Sequence, residues 1–138
     1  MLTLFRALFI VTVFALTAMA APPTDTEATR LLVGSWTRDD PAFVTGMTLK
    51  VDGTFTSEGT FATRNGPITI KVEGKWHVKD GILVEELTRS SHPNIVPVGH
   101  ISRDTLLSVT QKEYRFRTVD AKEAGYKRAE APQKAPAK

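Results

Sequence analysis

From Ile68 to Lys79 the chain alternates without a break. Ile68, Ile70, Val72, Gly74, Trp76 and Val78 fall at one parity, and Thr69, Lys71, Glu73, Lys75, His77 and Lys79 at the other. Successive side chains of a strand point to opposite faces, so this segment predicts a strand with one dry and one wet side. Such a strand cannot stand alone: its dry face needs cover and its edges need partners, which the same chain must supply.

The flanking sequence supplies them. Met47, Leu49 and Val51 share a face, Thr48 and Lys50 take the other, and Asp52-Gly53 is a hairpin signal before Thr54-Phe55-Thr56. Lys79-Asp80-Gly81 gives another tight turn, after which Ile82 to Thr88 returns as the partner of the alternating segment. Glu85 and Glu86 lie on opposite faces of that strand, so one carboxylate points inward. Leu31 to Arg38, Val98 to Ser102, Thr105 to Thr110, Glu113 to Val119 and Gly125 to Arg128 are the remaining candidates, with breaks at Arg103-Asp104 and Gln111-Lys112. Ser90 to Gly99, with Pro93 and Pro97, reads as a loop, because proline cannot donate to a ladder. Thr24-Asp25-Thr26-Glu27 fits the capping box and predicts a short helical turn, which Gly34 argues against extending. No segment offers a helical crossover of the length a parallel sheet needs. The expected fold class is therefore all-β, an antiparallel up-and-down meander of about eight short strands that closes into a small barrel to hide its edges.

The two ends differ from this body. Met1 to Ala20 carry one charge, Arg6, then a largely apolar run from Ala7 through Leu16, then Ala18-Met19-Ala20 ahead of Ala21-Pro22-Pro23. This is the pattern of a cleaved secretory signal; the run is short for a membrane span and no basic stop-transfer cluster follows it. The expectation is a periplasmic or secreted protein beginning at Ala21, with no membrane span after cleavage. At the other end, residues 129–138 offer no large apolar side chain to bury and are expected to form a disordered Ala/Pro/Lys tail. Residues 21–128 then form a single domain, held without disulfides because the chain has no cysteine. The 18 basic and 15 acidic residues of the full chain are interspersed. Nucleic-acid binding asks for clustered basic charge, so no such partner is expected.

Gly34-Ser35-Trp36, preceded by a helical turn, resembles the glycine-x-tryptophan opening of lipocalins and other calycin-type barrels. The order of Val51-Asp52-Gly53-Thr54-Phe55, Gly74-Lys75-Trp76-His77-Val78, Asp80-Gly81 and Tyr126-Lys127-Arg128 is similar to that of small bacterial lipocalin-like domains. The resemblance implies that Gly34, Trp36 and Arg128 close one end of the barrel, with the guanidinium over the indole. It also implies non-covalent binding of a small apolar or amphipathic ligand. The chain is much shorter than a full lipocalin, lacks the threonine-aspartate-tyrosine motif and shows no carboxy-terminal helix, and its short strands imply a small interior, which side chains fill or one small ligand occupies.

The inward row names the candidate ligand residues: Leu49, Phe55, Phe61, Ile70 and Trp76, with Glu85 as a placed polar group and Gly59 and Gly74 leaving room beside the aromatics. No catalytic site, metal site or cofactor is expected. Ser90 and Ser91 beside His92 lack an orienting group, His92 and His100 lack further ligands, His77 falls on the wet face, and at most one carboxylate is read as inward. Arg115 and Arg117 form an outward pair opposite Tyr114 and Phe116. The alternative to a binding barrel is a filled barrel that acts as an inhibitor or envelope accessory protein, meeting a protein partner through the Ser90 to Gly99 loop or the tail. Closure of every edge within one chain favours a monomer.

Expressed in full in an exporting host, the protein should appear outside the cytoplasm beginning at Ala21. Intact-mass measurement checks this, and a membrane-bound product that keeps Met1 would identify an anchor instead.

Overall fold

The computed structural model describes residues 21–40 and 43–130; the expected signal segment and the tail from residue 131 lie outside the described residues. Helix α1 (Asp25–Leu32) precedes eight strands: β1 (Gly34–Asp40), β2 (Phe43–Leu49), β3 (Thr54–Thr63), β4 (Gly66–Lys79), β5 (Ile82–Ser90), β6 (Ile101–Val109), β7 (Glu113–Arg117) and β8 (Glu123–Arg128). Each strand pairs antiparallel with the next. β8 returns to β1 through the pairs Trp36 with Arg128 and Thr37 with Lys127, so the meander is a closed barrel.

Local chemistry sets the turns. Gly53 takes a positive φ of 83°, and the Asp52 carboxylate accepts hydrogen bonds from the Thr54 amide at 2.9 Å and the Thr54 hydroxyl at 2.6 Å. Asp80 and Gly81 have φ of 54° and 73°, the left-handed pair that matches a two-residue hairpin to the twist of its strands. Their amides donate to the Asp25 carboxylate at 2.7 and 2.9 Å, which ties the first residue of α1 to the β4–β5 turn. Thr24 caps the helix by accepting from the Glu27 amide.

Several boundaries differ from the sequence reading, each for a physical reason. Residues 31 and 32 complete the helix rather than open the first strand, because Ala28 and Leu32, one turn apart, both bury against the barrel. The chain turns into β1 only at Gly34, whose φ is 138°. Val51 does not continue the inward row: β2 ends at Leu49, and Val51 stands 88 % exposed in the turn. Arg103-Asp104 does not break the sheet either. β6 runs through it, because alternation sends Asp104 inward opposite Leu83 while Arg103 pairs outward with Val84. A register shift between Leu106 and Ser108 then restores the inward phase for Val109.

The core occupies the half of the barrel covered by α1. Trp36 and Tyr114 meet edge to face with centroids 4.9 Å apart, and Leu32, Leu49, Phe55, Trp76 and Leu83 pack around them. Both indoles are hydrogen-bonded to backbone carbonyls, Trp36 to Leu32 at 2.7 Å and Trp76 to Lys50 at 3.0 Å. Arg128 lies over Trp36 with Cζ 4.2 Å from the ring centroid. It donates to the carbonyls of Leu31 at 2.6 Å, Val33 at 3.1 Å and Gln111 at 2.5 Å. A Cβ at position 34 would collide with the Arg128 Nη1, so the glycine two residues before Trp36 makes room for the guanidinium.

Arg128→Ala should lower stability by about 3 kcal/mol, because it removes the stacked cation and strands carbonyls at the helix end. Urea denaturation checks this against Lys127→Ala, an exposed neighbour expected to change stability by no more than about 0.5 kcal/mol.

Candidate functional site

Beyond Trp36 the barrel changes character. Next to the packed row, Arg38 on β1, Glu85 on β5, Ser102 and Asp104 on β6 and Tyr126 on β8 present polar atoms, and they line a partly open cavity of about 280 Å³. Met47, Leu83 and Phe116 form its apolar surface, while Arg38, Glu85, Ser102, Asp104, Tyr114, Thr118 and Tyr126 supply the polar atoms. Strand parity explains the set. Arg38 follows Trp36 by two residues on β1, Glu85 follows Leu83 on β5, and Ser102 and Asp104 oppose Glu85 and Leu83 across the β5–β6 ladder.

Glu85 is the central group. Its Oε2 accepts a hydrogen bond from the Ser102 hydroxyl at 3.2 Å, while Oε1 is buried and has no hydrogen-bond partner among the described residues. Burial, and then the charge of Asp104, push its carboxyl up to about 7, against the pull of the Ser102 hydroxyl. Asp104 is also raised by burial, with the Arg38 charge opposing. Tyr126 is pushed up to about 12, first by burial and then by Glu85, while Arg38 opposes through its charge and a hydrogen bond to the phenol. Tyr114 is raised well above the ordinary phenol range, chiefly by burial and then by Glu85. The aromatic rings form one rack: Tyr114 and Tyr126 stack at 5.3 Å and 13°, and Phe116 and Tyr126 at 6.0 Å and 25°.

Of the six residues singled out as ligand-lining, Glu85 lines this cavity and the other five do not. Leu49, Phe55 and Trp76 belong to the buried core, Ile70 is buried at 5 % exposure, and Phe61 is half-buried on β3. Nor does Gly74 leave room for a ligand. A Cβ there would meet the Glu86 carbonyl and the Phe55 ring, so the glycine admits close packing at the register shift between Glu73 and Gly74. Glu86 is exposed. The sequence reading counted at most one inward carboxylate; the structure has two, Glu85 and Asp104. Asp104 sits in a charged pair that looks like a turn in sequence, and Arg38 lies near the end of β1, where alternation is short. Continued parity from Trp36 to Arg38 and from Ser102 to Asp104 was the available signal.

The other singled-out side chains serve local structure. Ser91 Oγ sits 2.8 Å from His92 Nδ1 but also accepts from the Lys71 amide at 2.9 Å, and Ser90 Oγ accepts from the His92 amide at 3.2 Å. Both serines therefore tie the loop to its own backbone and to β4. His77 is exposed. Arg115 and Arg117 face outward and share Glu123, at 3.8 and 2.8 Å. Among the described residues no three His, Cys, Asp or Glu side chains group as a metal site requires.

No protein-family model matches the chain, and no curated protein matches it.

Because the Glu85 carboxyl is raised, the native protein keeps that proton over a range where the unfolded chain has already lost it. Stability from this group is therefore full below about pH 4.5 and falls as pH climbs to about 7. The expected loss is about 3 kcal/mol. Glu85→Gln should remove most of this slope, leaving the part due to Asp104, and should be more stable than the wild type at pH 8 but not at pH 4. Urea denaturation across that range measures both curves.

Proposed function

We propose that this is an exported, non-catalytic barrel of the lipocalin-like kind that binds a small amphipathic molecule in the cavity between Glu85, Asp104 and Phe116. The observation that carries the reading is the division of the interior: one half is filled by Trp36, Leu49, Phe55 and Trp76, and the other keeps about 280 Å³ bordered by both apolar and polar groups. A barrel this small either fills itself or holds one small ligand. Here it does the first at one end and leaves space for the second beyond it. The volume sits at the lower edge of ordinary ligand pockets, roughly 300–1,000 Å³, so the ligand is compact.

The closed ladder and the placement of Gly34, Trp36 and Arg128 support the lipocalin-like reading, and the composition of Met1 to Ala20 supports export. Among the described residues no helix is long and apolar enough to cross a membrane. Closure of the sheet within one chain, through the pairs Trp36 with Arg128 and Thr37 with Lys127, supports a monomer.

A second reading is favoured by one feature: Ile95, Val98 and Ile101, in and just after the Ser90 to Gly99 loop, are 59 %, 54 % and 41 % exposed. Under it the barrel presents this apolar strip to a protein partner.

Native mass spectrometry of protein taken from its export compartment separates the two. A mass increment lost on organic extraction is expected. It should be accompanied by chemical-shift changes at Leu83, Phe116 and Tyr126 when a panel of fatty acids, alcohols, amines and aromatic acids is added. A bare mass with no change at those residues across the panel would overturn the binding reading.

A further inference from the structure

We infer that the ligand is a small organic amine, its ammonium head set against the Glu85 carboxylate and its apolar body against Leu83 and the rings of Phe116 and Tyr126. The inference rests on the reading of the cavity as a ligand site and adds the chemical class of what enters it.

Three features of the cavity select this class. The first is the unused acceptor. Glu85 lines the cavity, and its Oε1 is buried with no partner among the described residues, while Oε2 is held by Ser102. A buried carboxylate oxygen left unpaired is costly, so a ligand toward which the carboxyl turns, and which donates a hydrogen bond to it, gains twice, by forming the bond and by ending the deficit.

The second is the balance of charge. Asp104 lines the same cavity, one pair further along the β5–β6 ladder, so two carboxylates face the ligand. An anion would meet both. The one cationic side chain that lines the cavity, Arg38, already acts on Asp104 and on the Tyr126 phenol, which it hydrogen-bonds. A cation completes the set by offsetting the carboxylate that Arg38 does not neutralise, and a charge-assisted hydrogen bond is about twice as strong as a neutral one.

The third is the aromatic rack. Tyr114, Phe116 and Tyr126 border the cavity as one stack whose rings cover one another's faces, and it offers a wall for an apolar ligand body. A neutral alcohol would use the free oxygen and the apolar wall but gain nothing from the second carboxylate. The buried state of Glu85 supports the assignment, because an ammonium beside its carboxyl makes it easier to ionise and so expels a proton near pH 7.

Three probes with one body and different heads test the inference: benzylamine, benzyl alcohol and benzoate, titrated by calorimetry and by chemical shift at pH 8. Benzylamine is expected to bind about tenfold tighter than benzyl alcohol, with benzoate weakest. At pH 7 its binding should release a proton, seen as a heat that changes with the ionisation enthalpy of the buffer. Glu85→Gln should cut the preference for amine over alcohol to within about twofold and abolish the proton release. Asp104→Asn, which leaves Glu85 in place, should also narrow the preference and serves where the first variant fails to fold. Benzyl alcohol or benzoate binding in the cavity as tightly as the amine would overturn the amine inference and leave the ligand site standing. Silence from all three probes would overturn the inference too, and the wider panel then decides whether the cavity reading falls with it.

Discussion

Closure of the barrel turns on Arg128. Its guanidinium covers the Trp36 indole and holds carbonyls from the end of α1 and from the β6–β7 turn. A helix end leaves carbonyls without partners, and a barrel end leaves an apolar ring exposed to water. One side chain answers both needs. Gly34 is the price of the arrangement, since any Cβ there would occupy the space the guanidinium takes. The last strand is thus locked to the first, although the seam itself has only the two pairs Trp36 with Arg128 and Thr37 with Lys127, and the closure needs no disulfide.

Sealing one end sets the character of the other. α1, Trp36, Leu49, Phe55 and Trp76 concentrate apolar burial in the covered half, which frees the inward positions beyond them from filling the core. Polar side chains can stand there at tolerable cost only if they find partners. Ser102 meets Glu85, and Arg38 meets Tyr126 and acts on Asp104. The set stops one bond short, at Glu85 Oε1. Two partly buried carboxyls, both raised, beside stacked rings and an open volume, form a recognition surface rather than a strained piece of core.

The exposed Ser90 to Gly99 segment fits the same frame. The Gly99 amide bonds to the Leu87 carbonyl, the Leu87 amide to the His100 carbonyl, and Val96 packs on the core. Its course over the surface is thus fixed at its base, and of its aliphatic side chains Val96 turns inward while Ile95 and Val98 point away. Ser90, Ser91 and His92, which in sequence look like the beginnings of a nucleophile and base, spend their hydrogen bonds holding that base in place.

Most of the strands, the hairpins at Asp52-Gly53 and Asp80-Gly81 and the antiparallel meander were legible in the sequence, because alternation and turn chemistry are local properties of the chain; closure followed only from the need to hide the sheet's edges. The sequence also marked Gly34, Trp36 and Arg128 through resemblance. Helix length was harder to read, since the burial of Ala28 and Leu32 depends on the barrel beneath them. The site was harder still. Reading each strand alone placed every large inward side chain in one row, so Phe55 and Trp76 looked as available to a ligand as Glu85. Only the tertiary structure decided which of them are covered by α1 and which border open space. The register around the closed barrel brings Arg38 from the first strand into the same volume as Asp104 from the sixth, and neighbourhood of that kind depends on how the strands stagger when the sheet closes, which no single strand records.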